Sequence, residues 1–269
     1  MKVSNKTIVV TGGGNGIGRQ VVLQLLESGA RVAALDLSAA SLDETSQLAK
    51  SDRLSSHRVD IADLDQVVRS KAEINAIHGP VSGVVNVAGI IQPFVRVNEL
   101  SFEQIKKVMD VNFYGLLHVT KTFLPELILQ PEAHIANVSS MGGFVPVPGQ
   151  SIYGASKAAV KLLTEGLYSE LKGTSVGVTT IFPGAVATGI ALNSGIMSEA
   201  QMKEMAAKGG AARKTTSAEV AAKLIIEGIE KRKFHVLIGS DAKTMYLLSR
   251  LMPERAANLI YQNMKDLLG

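Results

Sequence analysis

The chain has no cysteine, which excludes disulfides, thiol nucleophiles and cysteine-ligated zinc. It has no tryptophan, and its 269 residues include only 5 Tyr and 7 Phe. No run of about 18 apolar residues occurs, so no segment reads as membrane-spanning. Nor does an apolar stretch precede a small-residue cleavage site as in a signal peptide. Neither sign of charge dominates: 28 Lys+Arg against 24 Asp+Glu leave +4, which is not the footprint of a nucleic-acid binder. The densest basic cluster, Lys231-Arg232-Lys233, has no interleaved aromatics and reads as a solvated helix end. The Gly-x-Ser-x-Gly elbow of serine hydrolases and the Gly-Lys-Ser/Thr phosphate loop of nucleotide hydrolases are both missing. His57, His78, His118, His134 and His235 show no ligand spacing and read as ordinary surface or strand histidines, so no metal site is expected. The composition (46% apolar, 19% charged) fits a globular chain with a large core, and a cysteine-free protein fits the cytoplasm.

Strand-like and helix-like segments alternate along the chain. The strand-like runs are Thr7 to Val10, Arg31 to Leu35, His57 to Val59, Gly83 to Val87, Ala133 to Val138, Val176 to Phe182 and Phe234 to Ile238. Helical patterns fill the gaps: Gly16 to Ser28, Ala39 to Lys50, Leu64 to Ile77, Ile152 to Lys172, Ser217 to Lys231, and a long run from the Ser101 cap towards Leu129 with Pro125 as the expected break. Strands joined by helices require crossovers. The expectation is therefore one α/β domain over residues 1–269, a Rossmann-type doubly wound parallel sheet of about seven strands. Two pieces fall outside the alternation: an insertion at 190–216 and a helical C-terminal tail at 243–269.

The first strand runs into Thr11-Gly12-Gly13-Gly14-Asn15-Gly16-Ile17-Gly18. In that context Gly12 allows a sharp turn, Gly16 lets a pyrophosphate approach the backbone, and Gly18 allows close helix packing, with the helix N-terminus facing the phosphates. Asp36 ends the second strand, 18 residues beyond Gly18, and has no basic neighbour. A carboxylate there can accept from an adenosine ribose and repels a 2′-phosphate, which favours NAD over NADP. It can also cap the next helix. Asp60-Ile61 and Asn86-Val87-Ala88-Gly89 end the third and fourth strands, at the sheet edge where ligands bind. Asp60 can accept from an adenine amino group or cap the following helix.

Tyr153 and Lys157, four residues apart, share one helix face, and Ser140 lies 13 residues before the tyrosine at the end of the fifth strand. A phenol of pKa ~10 is a poor base at neutral pH. An ammonium ~4 Å away at an effective dielectric of ~20 favours phenolate by about 4 kcal/mol before desolvation, so Tyr153 is expected to move towards the operating pH.

On these residues, together with Val111-Asn112, Asn137-Val138-Ser139-Ser140 and Pro183-Gly184-Ala185-Val186-Ala187-Thr188, the chain resembles the short-chain dehydrogenase/reductase family over essentially its whole length. Val87 departs from the pattern, which more often has a second Asn there. The resemblance implies that Tyr153 exchanges a proton with the alcohol or carbonyl oxygen and that Ser140 orients that oxygen. It implies that Lys157 bonds the nicotinamide ribose, that Asn112 holds a water in a proton relay, and that Val186 and Thr188 contact the carboxamide. The cofactor set it implies comprises Gly12, Asn15, Gly16, Ile17, Gly18, Asp36, Asp60, Ile61, Asn86, Ala88, Gly89, Tyr153, Lys157, Pro183, Gly184, Val186 and Thr188. The family also usually pairs subunits through the helices at 101–129 and 152–172, giving a homodimer or homotetramer.

The expected function is NAD-dependent interconversion of a secondary alcohol and a ketone. Ile190, Leu192, Ile196, Met197, Met202 and Met205, opposite Gly142 to Val147, suggest an apolar small-molecule substrate. The resemblance around Gly239-Ser240-Asp241-Ala242 leans towards lipophilic alcohols such as steroid-like or retinoid-like ones. Reduction of 3-oxoacyl groups on an acyl-carrier protein is the alternative within the class. A non-catalytic dinucleotide sensor or scaffold is the alternative outside it. The tail from Met245 to Leu268 reads as a subunit contact, a cover over the pocket or a peripheral membrane contact.

Overall fold

A computed structural model of the chain describes residues 1–196 and 215–268. Strands β1 (Thr7–Thr11), β2 (Arg31–Asp36), β3 (Leu54–Arg58), β4 (Gly83–Asn86), β5 (Ala133–Val138) and β6 (Val176–Pro183) alternate with helices α1 (Gly16–Glu27), α2 (Ala39–Ala49), α3 (Leu64–His78), α4 (Phe102–Met109), α5 (Leu116–Leu129) and α6 (Ser151–Glu170). A two-residue strand β7 (Val186–Ala187) and a short helix α7 (Ile190–Asn193) follow. Beyond the insertion come β8 (Thr216–Ser217), α8 (Ala218–Glu230), β9 (His235–Ile238), α9 (Ser240–Leu251) and α10 (Pro253–Met264).

Seven strands form one parallel sheet in the order β3-β2-β1-β4-β5-β6-β9. Both faces are covered, so the central strands are apolar throughout rather than alternating. Ile8 and Val10 of β1 pack with α1 and α8 through Val21, Leu25, Ile225 and Ile229. Val9, pointing the other way, packs with α3, α5 and α6 through Ile74, Phe123 and Leu167. The sheet order reverses between β1 and β4, which opens a crevice at the carboxyl ends of the strands.

Two local expectations change and two features are new. β3 starts at Leu54, because this edge strand is built from Ser55 and Ser56 and carries little apolar signal. The long helical run is not broken at Pro125, which lies exposed on the solvent face inside α5. Burial of Leu116, Val119, Phe123 and Leu127 outweighs its cost of about 3 kcal/mol. The irregularity is instead a π-helical segment, Asp110–Gly115, around Asn112. The tail is two helices, divided where Pro253 opens α10. Finally, β7 pairs with β8, pinning the two ends of the insertion together. The interior of that insertion, with Met197, Met202 and Met205, lies outside the described residues.

Candidate active site

The crevice is a cavity of about 380 Å³. Its lining brings together Gly12, Asn15, Gly16, Ile17, Gly18, Asp36, Asp60, Ile61, Ala88, Gly89, Ser140, Tyr153, Lys157, Pro183, Gly184, Val186 and Thr188, residues scattered over 177 positions of the sequence. At Gly18 a Cβ would overlap the Gly12 carbonyl, so this glycine lets α1 start directly under its own turn. Gly16 adopts φ +51°, where side chains are strained. Asn15, the residue before α1, makes no side-chain cap; its Oδ1 accepts instead from Asn193 Nδ2 at 2.9 Å. The first N–H groups of α1 thus have no capping side chain at a glycine-lined turn, a surface that fits a phosphate.

Asp36 stands at the other end of that turn. Its Oδ2 accepts from Gly14 N and its Oδ1 from Ser38 N, both at 3.0 Å, while Ser38 is the actual cap of α2. Asp60 does not cap either: its Oδ1 accepts from Ala62 N at 2.9 Å, and Asp63 caps α3. Both aspartates still face the crevice, beside Leu37, Ile61, Val111 and Lys107. Asn86 does not line it. Its side chain lies beneath, donating to Asn137 Oδ1 at 2.8 Å and to Thr120 Oγ1 at 3.3 Å.

At the opposite end, β5 delivers Ser139 and Ser140 in succession, and they point different ways. The Ser140 hydroxyl accepts from Gly142 N at 3.0 Å and stands with the Tyr153 ring against Gly142. The Ser139 hydroxyl donates to the Lys157 carbonyl at 2.7 Å, fixing α6 against the turn. Gly143 is required there: a Cβ would come within 2.8 Å of Ser139 Oγ and 2.9 Å of the Lys157 carbonyl. Lys157 is 3% exposed; its Nζ donates to the Val138 carbonyl at 3.0 Å and lies 6.0 Å from the centre of the Tyr153 ring. Burial lowers the Lys157 ammonium to about 8. Burial also pushes the Tyr153 phenol above its ordinary value, with the Ser140 hydroxyl acting the other way. The expected downward shift of the phenol is thus reversed in the protein by itself, because burial of the phenol outweighs the Ser140 hydroxyl.

Asn112 sits behind the crevice, fully buried in the π-helical segment. Its Oδ1 accepts from Ile90 N at 2.8 Å, and its Nδ2 donates to Ile90 O at 2.9 Å and Ser156 Oγ at 3.0 Å. It joins the loop after β4 to α6 rather than facing the cavity. Thr11 and Asp241 were missed by sequence reasoning. Thr11 Oγ1 accepts from Val87 N at 3.1 Å and Ala88 N at 3.2 Å, holding the loop in which Val87 departs from the family pattern. Asp241, on α9, accepts from Ala185 N at 2.7 Å. Thr11 was legible as part of the glycine motif; Asp241 lies 56 residues from its partner, with no local signal. His57, His78 and His134, expected as ordinary histidines, are buried, and no group of three or more potential metal ligands occurs among the described residues.

A glycine-rich turn at the switch point of a parallel sheet, facing a serine, a tyrosine and a lysine across one crevice, is the architecture of a Rossmann-type α/β protein with a built reaction site. The family model described as short chain dehydrogenase matches residues 6–199. The chain is 35% identical over 259 residues to the protein named "Putative oxidoreductase SadH" of Mycobacterium tuberculosis, covering 95% of this chain and 94% of that one. It shares 27% identity and a TM-score of 0.82 with a short chain dehydrogenase/reductase from Burkholderia phymatum in complex with NAD, over 93% of this chain and 96% of that one. A short chain dehydrogenase from Burkholderia cenocepacia in complex with NADP, 24% identical, shares the fold, with a TM-score of 0.79 over 97% and 99% of the two chains. The chain belongs to the short-chain dehydrogenase/reductase family of oxidoreductases.

Proposed function

We propose that the protein uses NAD to interconvert a lipophilic secondary alcohol and its ketone. The observation that carries this reading is the spacing of functions along one crevice: Asp36, flanked in the sequence by Leu35, Leu37 and Ser38 and not by a basic residue, at one end, and Ser140, Tyr153 and Lys157 together at the other. The uncapped start of α1 with Gly16 would hold the pyrophosphate, Asp36 the adenosine ribose, Lys157 the nicotinamide ribose, and Val186 and Thr188 the carboxamide. The bound dinucleotide supplies the hydride acceptor and positive charge beside the phenol. Tyr153 Oη takes the hydroxyl proton of the alcohol as its carbon is oxidised, and returns one in the reverse direction. Ser140 Oγ orients the substrate oxygen, and the Lys157 ammonium favours the phenolate. The apolar character of the substrate is supported by Ile90, Ile91 and Ile190 on the cavity wall. Phe102, Leu129 and Leu162, exposed on α4, α5 and α6, support pairing of subunits through these helices.

The test mixes the protein with NAD or NADP and a panel of secondary alcohols, from short-chain to steroid-like, and follows the absorbance of reduced cofactor. Turnover with NAD that disappears in Tyr153→Phe is expected. No turnover across the panel with either cofactor, or a Tyr153→Phe variant as active as the parent, overturns the reading.

A further inference from the structure

Helix α6 carries both Tyr153 and Lys157, yet its start is not capped from within. Gln150, the residue before it, makes no side-chain cap, and the Gln150 carbonyl takes the N–H of Gly154 at 2.8 Å. The N–H groups of Ile152 and Tyr153 belong to the first turn and have no partner inside the helix. Both are taken by one remote side chain: Gln92 Oε1 accepts from Ile152 N at 2.9 Å and from Tyr153 N at 3.0 Å. The same amide donates from Nε2 to the Gly149 carbonyl at 2.9 Å, and the Gln92 carbonyl accepts from Gln150 Nε2 at 2.7 Å. Gln92 is 1% exposed and does not line the cavity. Its two predecessors are held as firmly, Ile90 by Asn112 and Ile91 by Ser194 Oγ at 3.0 Å.

We infer that Gln92 is a positioning residue for the reaction: by capping α6 from the loop after β4, it fixes where the Tyr153 phenol stands relative to Ser140 and to the loop bearing Ala88 and Gly89. The assignment rests on the reading of Tyr153 as the proton-exchanging group. A side chain with one acceptor and one donor suits the position, because two N–H groups and a carbonyl converge there on a residue that is 1% exposed. Gln92→Met keeps the length and removes both functions. Gln92→Glu keeps the acceptor, and at this buried position its carboxyl is held protonated, so that its O–H replaces the donor to the Gly149 carbonyl.

The experiment compares the two variants with the parent in three measurements. Amide hydrogen exchange over residues 151–157 needs neither substrate nor cofactor. NADH binding is followed by fluorescence. Turnover is measured on the alcohol from the panel that the parent oxidises fastest. For Gln92→Met, faster exchange confined to the first turn of α6 is expected. Its kcat should fall roughly tenfold to a hundredfold, as for a small misplacement of a reacting group, while the alcohol KM and NADH affinity change by less than about twofold. Gln92→Glu restores the exchange protection and most of kcat. Parent-like exchange in α6, or exchange that rises evenly over the whole fold with kcat per folded molecule unchanged, overturns the inference. If the parent turns over no alcohol, the proposed function fails, and the exchange data alone decide whether Gln92 holds the start of α6.

Discussion

The Lys157 ammonium donates to the Val138 carbonyl at 3.0 Å from a position only 3% exposed. The side chain is thereby aimed at the reaction end of the crevice at the expense of its hydration. The folded protein holds this ammonium at about 8 against 10.5 for a free lysine, a difference worth about 3 kcal/mol. The unfolded chain binds the extra proton between these values, so the cost is complete below pH 8 and is relieved as pH rises towards 10.5. Lys157→Met should therefore abolish turnover and yet stabilise the cofactor-free protein at pH 7 by ~1–2 kcal/mol, after allowing for the lost bond to Val138. Urea unfolding at pH 7 and pH 10 checks this; the advantage should shrink at the higher pH.

Among the histidines that burial holds neutral, His134 should carry the largest share of the acid sensitivity. Its Nε2–H donates to Thr179 Oγ1 at 2.8 Å, since the threonine hydroxyl itself donates to the Lys233 carbonyl, and Nδ1 is buried without a partner. Burial holds the imidazole neutral down to about 3, whereas the unfolded chain takes up a proton near 6.5. The protection is complete above pH 6.5 and is lost progressively towards pH 3. Between pH 7 and pH 5 the loss should be about 2 kcal/mol. His134→Leu should flatten this slope, read as the change in urea midpoint between the two pH values.

Asp241 ties the C-terminal helices to the reaction site through Ala185 N. Asp241→Ala leaves that N–H without its acceptor and loosens the turn that carries Pro183, Gly184 and Val186. A loss of ~1–3 kcal/mol in stability is expected, with NADH affinity falling about tenfold and affinity for AMP, which reaches only the Asp36 end, unchanged. Fluorescence and calorimetric titrations distinguish the two ends.

Cofactor choice should reside in Asp36. Asp36→Ser should lower kcat/KM with NAD and raise it with NADP, moving the ratio by a factor of about 10 or more, because the repulsion of a 2′-phosphate disappears. A parent enzyme that prefers NADP contradicts this account of the carboxylate.

Much of this was legible in the chain. The strands that alternate with helices, the glycine turn after β1 and the tyrosine and lysine one helical turn apart are local patterns, and a local pattern needs no knowledge of what lies across the fold. The π-helical segment was not legible. Residues 101–129 keep one apolar face, and the extra residue is accommodated where the Asn112 side chain meets Ile90 and Ser156, at separations of 22 and 44 residues. Pro125 misled for a related reason: its cost depends on facing solvent, which the sequence does not state.

The sequence by itself determined the layer architecture and the residue types of the site, because hydrophobic period and glycine placement act over a few residues. Tertiary structure alone decided how those residues are held. Ser139 grips the Lys157 carbonyl, Gln92 caps the helix of Tyr153, Asp241 holds Ala185, and burial sets the Tyr153 and Lys157 proton affinities. Each of these follows from desolvation or from a hydrogen bond between distant segments, and both exist only once the chain has closed around them.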